Sequence, residues 1–234
     1  MSGLTARLGP MDKARGKAVA KVALPRLSPV ELSDLEDLPN PVFRKGGRHE
    51  NARFARAAVD GLDLADSVFA ECRFDAVSFS EAQLRGASFR DCILAEAYAP
   101  VFRGARSAWR EVEFRNPRLG SAELYESGWQ SVRIDGGKID FLNLRGAKLN
   151  DVLISGCIIN ELDLGGATAT RVKLADCTVG SLDLAGAKLK DFDLRSTEFR
   201  KISGLGSLSG LVIDEYQLNL LAPLIAAHLG VMVL

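Results

Sequence analysis

The chain has 234 residues, of which 47% are apolar and 26% charged, and its 30 Lys and Arg balance 30 Asp and Glu. This is the composition of an ordinary soluble protein with one main domain and appended ends. No run reaches the eighteen apolar residues of a membrane helix, since Leu218 to Leu234 is broken by Asn219, Pro223, His228 and Gly230.

Residues 1 to 50 are expected to be a basic arm, a short helix and a linker. The opening residues have no apolar signal core. Arg7, Lys13, Arg15, Lys17, Lys21 and Arg26 face a single acid, Asp12, up to residue 26. Such an arm binds a polyanion or is simply solvated. We read it as solvated, with Lys13, Arg15 and Lys17 as candidate contacts and direct nucleic-acid binding disfavoured. Ser28, Pro29 and Glu31 fit an N-cap, first helical residue and capping-box acid, and Leu32, Leu35 and Leu38 come next, so about ten helical residues are expected. Pro39 and Pro41 end that helix, and Lys45-Gly46-Gly47 joins it to the central part of the chain.

From 51 to 201 the chain repeats. Every fifth residue from Phe54 to Phe199 is a large apolar one except Ala99, Gly104 and Ala169, that is 27 of 30 positions. Two places before each lies a smaller inward residue, such as Cys72, Val77, Ala82 or Ala87. A gap of two keeps both side chains on one face of an extended strand; a gap of three does not, so each pentad turns a corner. A longer period of twenty aligns Leu142, Leu162 and Leu182, then Ala147, Ala167 and Ala187, then Cys157, Cys177 and Thr197. Four corners therefore close one coil, and coils must stack in parallel to bury their apolar sides. About seven coils are expected.

The pentads LDLGG from Leu162, CRFDA from Cys72, AKLND from Ala147 and VKLAD from Val172 resemble those of pentapeptide-repeat proteins. That resemblance implies an all-β fold, a right-handed quadrilateral parallel β-helix. It also implies one known activity, mimicry of duplex DNA on a type II topoisomerase such as gyrase, which needs dense negative charge. Residues 51 to 200 hold 22 acids against 20 Lys or Arg, a net of −2. About ten base pairs carry roughly twenty phosphates, so the leading expectation is a non-catalytic scaffold binding another protein, and the gyrase-directed mimic is the alternative.

Within the coil, Trp109 and Trp129 fall in inward register and are expected to fill the space vacated by Gly104 and Ala99. Asp163 and Asp183 should stack on the outer surface; bonding to turn amides is the plain expectation, and a low-order binding patch the functional one. Cys72, Cys92, Cys157 and Cys177 occupy the small inward column, which argues for buried free thiols and a cytoplasmic location.

Residues 202 to 234 are expected to form a helical cap and a dimerisation tail. Asp214 and Gln217 fit a capping box, and Leu218, Leu221, Leu224, Ile225 and Leu229 an apolar face, with Pro223 kinking the helix or starting a second. Leu220, Val231 and Val233 are left for a second copy, as the resemblance to gyrase-associated family members also implies. His49 and His228 lie outside the repeat, no Cys/His set has metal spacing, and no catalytic set can be assembled. No cofactor is expected.

Overall fold

A computed structural model describes residues 22–38, 41–57 and 59–232. Strand pairing is parallel throughout, and in the body of the stack each residue lies over the one twenty places on: Trp109 over Trp129 over Leu149, and Leu142 over Leu162 over Leu182. The strands fall into a twelve-stranded and a six-stranded sheet that together wall a four-sided coil. In the early coils the corners are explicit. Glu71, Ala76, Glu81 and Gly86, five apart, all adopt positive φ, at 52°, 50°, 61° and 70°. Later coils straighten one corner, so that Tyr98–Arg103, Arg118–Glu123 and Lys138–Asn143 each run as one strand across two sides.

The stack is longer than the repeat. Glu36–Asp37 pairs below Ala52–Ala55, and Leu211–Val212 pairs above Lys188–Asp193, giving a path of ten strands, or about nine turns. At about 4.8 Å per turn the rod is roughly 43 Å long. The final pairing sets Asp193 against Val212, a step of nineteen rather than twenty, because the Gly204 to Gly210 loop replaces one pentad and rejoins the sheet.

Inside, parallel register turns like residues into ladders. One side carries His49, Phe69, Phe89, Trp109 and Trp129 in consecutive coils. His49 is thus the first rung of the repeat and not outside it. Ring centroids are 5.2, 4.9 and 4.2 Å apart from His49 to Trp109, with planes within 18°, because the strand spacing is close to a stacking distance. Each indole Nε1 donates inward, Trp109 to Ser107 Oγ at 2.6 Å and Trp129 to Ser127 Oγ at 2.8 Å. The volume beside Gly104 is taken by Leu124 and Phe102, where an added Cβ would meet the Leu124 Cδ2 at 2.8 Å. Closure at that point therefore comes from the next coil of the same side.

The cysteines are free and buried. Their column links successive coils. The thiols of Cys72, Cys92 and Cys177 reach the carbonyls of His49, Phe69 and Ile154 in the coil below, and the Thr197 hydroxyl donates to Leu174 O at 3.0 Å. Small weak donors fit where a larger side chain would collide with the opposite wall.

No helix forms over 28–38. Residues 22–33 are extended and lie along one edge of the rod, with Ala23 N–H donating to Asp191 Oδ1 at 3.2 Å, Arg26 N–H to Asp151 Oδ1 at 2.9 Å, and Ser28 N–H to Ser131 Oγ at 3.0 Å. The rod supplies acceptors at Asp191, Asp151 and Ser131, two coils and then one coil apart. An extended chain rising about 3.3 Å per residue can follow that ladder, whereas a helix rising about 1.5 Å cannot. Residues 22–26 are therefore docked and not a free arm.

Both ends are closed. At the start, Phe43 packs on His49 and Phe54, each with centroids 5.1 Å away. At the finish, the helix Glu215–His228 (α1) carries the expected Asp214–Gln217 capping box and continues through Pro223 as one element. The face it turns to the coil is Gln217, Leu221 and half-buried Ile225; Leu218, Leu224 and Leu229 face outward, contrary to the expected apolar face. The reason is Gln217, whose Nε2 donates to Leu194 O and Thr197 O, both at 2.8 Å, and so fixes the helix's rotation.

His49 gives a testable acid sensitivity. Burial, with help from Arg44, pushes its pKa below 6.5, and its Nε2 is buried without a partner. The unfolded chain then takes up the proton more readily, so this contribution to stability is full above about pH 6.5 and is lost as pH falls through the folded value. Thermal melts between about pH 7.5 and 5 should show a falling midpoint, and His49→Phe should flatten that slope.

Candidate interaction surface

Asp163 and Asp183 stack in register on the outer wall, as their spacing requires. Each bonds a turn amide two residues on: Asp163 Oδ1 accepts from Gly165 N–H at 2.8 Å and Asp183 Oδ1 from Ala185 N–H at 2.9 Å. Asp63 and Asn143 do the same in their own coils. Arg145 adds two contacts to Asp163, at 3.0 and 3.2 Å, and that bond raises the guanidinium pKa. Among the described residues there is no group of three or more His, Cys, Asp or Glu placed to hold a metal ion.

Ion pairing of this kind is general on the rod. Arg171 grips Asp151 at 2.6 and 2.7 Å, Arg195 grips Asp193 at 2.8 and 2.9 Å, Arg106 meets Glu126 at 2.6 Å, and Arg103 meets Glu81. The Arg171 bond holds the Asp151 carboxyl below the usual carboxylate range, against the opposing effect of burial. Near-neutral net charge is thus matched by near-neutral local charge.

One wall carries exposed apolar residues beside an ion pair, Lys138 with Asp140 at 3.2 Å. Tyr98, Arg118, Lys138 and Ile158 form an outward column, with Tyr98 and Ile158 at its ends 50% and 52% exposed. Between them the next outward column narrows to Pro100, Gly120 and Asp140, leaving a shallow groove. Gly120 is required there, because a Cβ would run into the Pro100 carbonyl. The groove has an aromatic and an aliphatic rim, an apolar floor and two cations. Its signal in the sequence is two apolar residues in an outward slot, which the periodicity of the inward columns does not reveal.

On α1, Leu218, Leu220 and Leu224 are about half exposed, while Leu221 is buried and Ile225 half-buried; Val231, beyond the helix, is exposed. Val233, Lys13, Arg15 and Lys17 lie outside the described residues. Among the described residues no helix is long and apolar enough to cross a membrane.

The twenty-residue parallel coil with corners every five residues makes the molecule a four-sided β-solenoid. Over residues 51–97 its unit is the pentapeptide repeat, where the family model described as pentapeptide repeats matches in eight copies. Among solved structures it is similar to full-length QnrB1, a plasmid-mediated fluoroquinolone resistance protein, at 22% identity over 84% of this chain and 95% of that one, with a TM-score of 0.32. It is also similar to HetL, a pentapeptide repeat protein involved in heterocyst differentiation regulation from the cyanobacterium Nostoc sp. strain PCC 7120. That match has 16% identity over 73% of this chain and 91% of that one, with a TM-score of 0.31. No curated protein matches the sequence.

Proposed function

We propose that the chain is a non-catalytic scaffold that holds a partner protein against its outer wall, in the cytoplasm, with the Tyr98–Ile158 groove as the contact. The observation that carries this reading is the groove's composition: exposed Tyr98 and Ile158 over a floor of Ala99, Leu119 and Gly120, rimmed by Arg118 and Lys138. Protein interfaces centre on such aromatic and apolar anchors with a polar rim. A decoy for DNA would instead need unpaired acids in rows. Affinity capture from cell extract at about 0.1 and 0.5 M salt, with wild type and with Tyr98→Ala/Ile158→Asp, tests the contact. A partner retained at both salts by wild type and lost by the variant supports it; a partner that the variant keeps overturns it.

The second reading, a mimic directed at a type II topoisomerase, rests on the rod form and the family. Titration into a gyrase supercoiling reaction separates the two, since inhibition by a charge mimic weakens steeply with salt and a groove contact does not. Homodimerisation through α1 is part of the same proposal, carried by exposed Leu218, Leu220 and Leu224. Leu218→Glu/Leu224→Glu should convert a dimer to a monomer in light scattering; an unchanged mass overturns that assignment.

A further inference from the structure

The edge beneath residues 22–33 is built as a ladder. Asp91, Glu111, Ser131, Asp151, Arg171 and Asp191 occur at intervals of twenty, all with positive φ between 52° and 56°, so that their side chains leave the bend of the twelve-stranded sheet one above another. Three of them accept main-chain N–H groups from Ala23, Arg26 and Ser28. The match is metric. Three residues separate Ala23 from Arg26, about 10 Å of extended chain, and two coils separate Asp191 from Asp151, also about 10 Å.

The segment is held lightly. Residues 22–33 form no strand pairing with the rod, and Val30 is their one buried residue. These ladder contacts go to its backbone, so they do not depend on its sequence. Its second half is also a poor electrostatic fit. At about 1.5 residues per coil, Glu31 passes the level of Asp91. Beside it Glu111 lies against Asp91, whose carboxyl raises its pKa, with Arg110 and the Ser28 side chain only partly offsetting the crowding.

We propose that this edge is a binding ledge for an extended peptide, occupied in the free chain by residues 22–33 as a tethered stand-in, and that its partner is a protein segment carrying Lys or Arg where this chain has Glu31. The ledge lies on a different edge from the Tyr98–Ile158 groove and does not depend on it.

The test uses the full chain and a labelled peptide of residues 22–33 carrying Glu31→Lys, followed by fluorescence anisotropy. A full-length Ala23→Pro/Arg26→Pro/Ser28→Pro variant removes the three donors and leaves the rod untouched. The peptide should bind that variant at least about tenfold more tightly than wild type, because the tethered segment no longer competes at high effective concentration. Adding Asp151→Asn to the variant should weaken binding severalfold. Equal binding to both chains, no binding to either, or loss of the fold on proline substitution would overturn the proposal. Hydrogen exchange on the unmodified chain gives an independent reading: amides 23, 26 and 28 should exchange far faster than those of Gly128–Asp135, and equal protection would make the segment a structural part of the rod.

Discussion

Trp109→Ala should lower the unfolding free energy by about 3–5 kcal/mol, the range for removing a large aromatic from a closed interior. Trp109 is 1% exposed and packs between Phe89 at 4.2 Å, Phe114 at 5.1 Å and Trp129 at 6.3 Å. The cavity would lie at mid-rod, where the strands above and below are fixed by register and cannot collapse into it. Ser107→Ala, which removes only the acceptor of the indole N–H, should cost about 1–3 kcal/mol. Urea titrations of both variants followed by circular dichroism make the comparison. A shift under about 1 kcal/mol for Trp109→Ala would mean that the ladder is not the main support of this part of the core.

Gln217→Leu should release the C-terminal cap. Leu keeps the apolar stem but leaves the Thr197 carbonyl without its Gln217 donor, at about 1–3 kcal/mol, and the Leu194 carbonyl with the Thr197 N–H alone. The helix also loses its capping-box partner for the Asp214 N–H. Because each coil touches chiefly its neighbours, the damage should remain local. Hydrogen exchange should rise in α1 and in Glu198–Ser203 while Ala108–Arg115 is unchanged. Uniform loss of protection along the rod would instead show that the cap governs the whole stack.

The periods of five and twenty are enough to read the coil, because inward register is a steric condition imposed on every pentad. Leu142, Leu162 and Leu182 stack as their spacing says, and the Asp214 and Gln217 pair forms the cap its spacing says. The features that are not legible depend on contacts between distant parts of the chain. Ser28, Pro29 and Glu31 have the local grammar of a helix start, but acceptors on Ser131 and Asp151, more than a hundred residues on, hold the segment extended. His49 looks isolated in the sequence for a related reason: the coil beneath it is irregular, so its place in the aromatic column shows only once Phe69 is seen above it. The outer groove is hidden because its Tyr98 and Ile158 stand in an outward slot that the inward periodicity does not constrain.

The docked N-terminal segment reverses the order in which this chain is made. Coils pair at a sequence distance of twenty and can add one at a time as the polypeptide emerges, whereas the bonds from Ala23, Arg26 and Ser28 span 168, 125 and 103 residues. Ala23, Arg26 and Ser28 must wait for anchors synthesised more than a hundred residues later. During synthesis the ledge acceptors near Asp91 and Glu111 stand uncovered while the rod lengthens, and the edge is closed only when the coil holding Asp191 has formed. Long closure is entropically slow compared with neighbour-by-neighbour growth. In refolding, a late kinetic phase that reports on the N-terminal segment, and that shifts when Asp191 is replaced, is its signature.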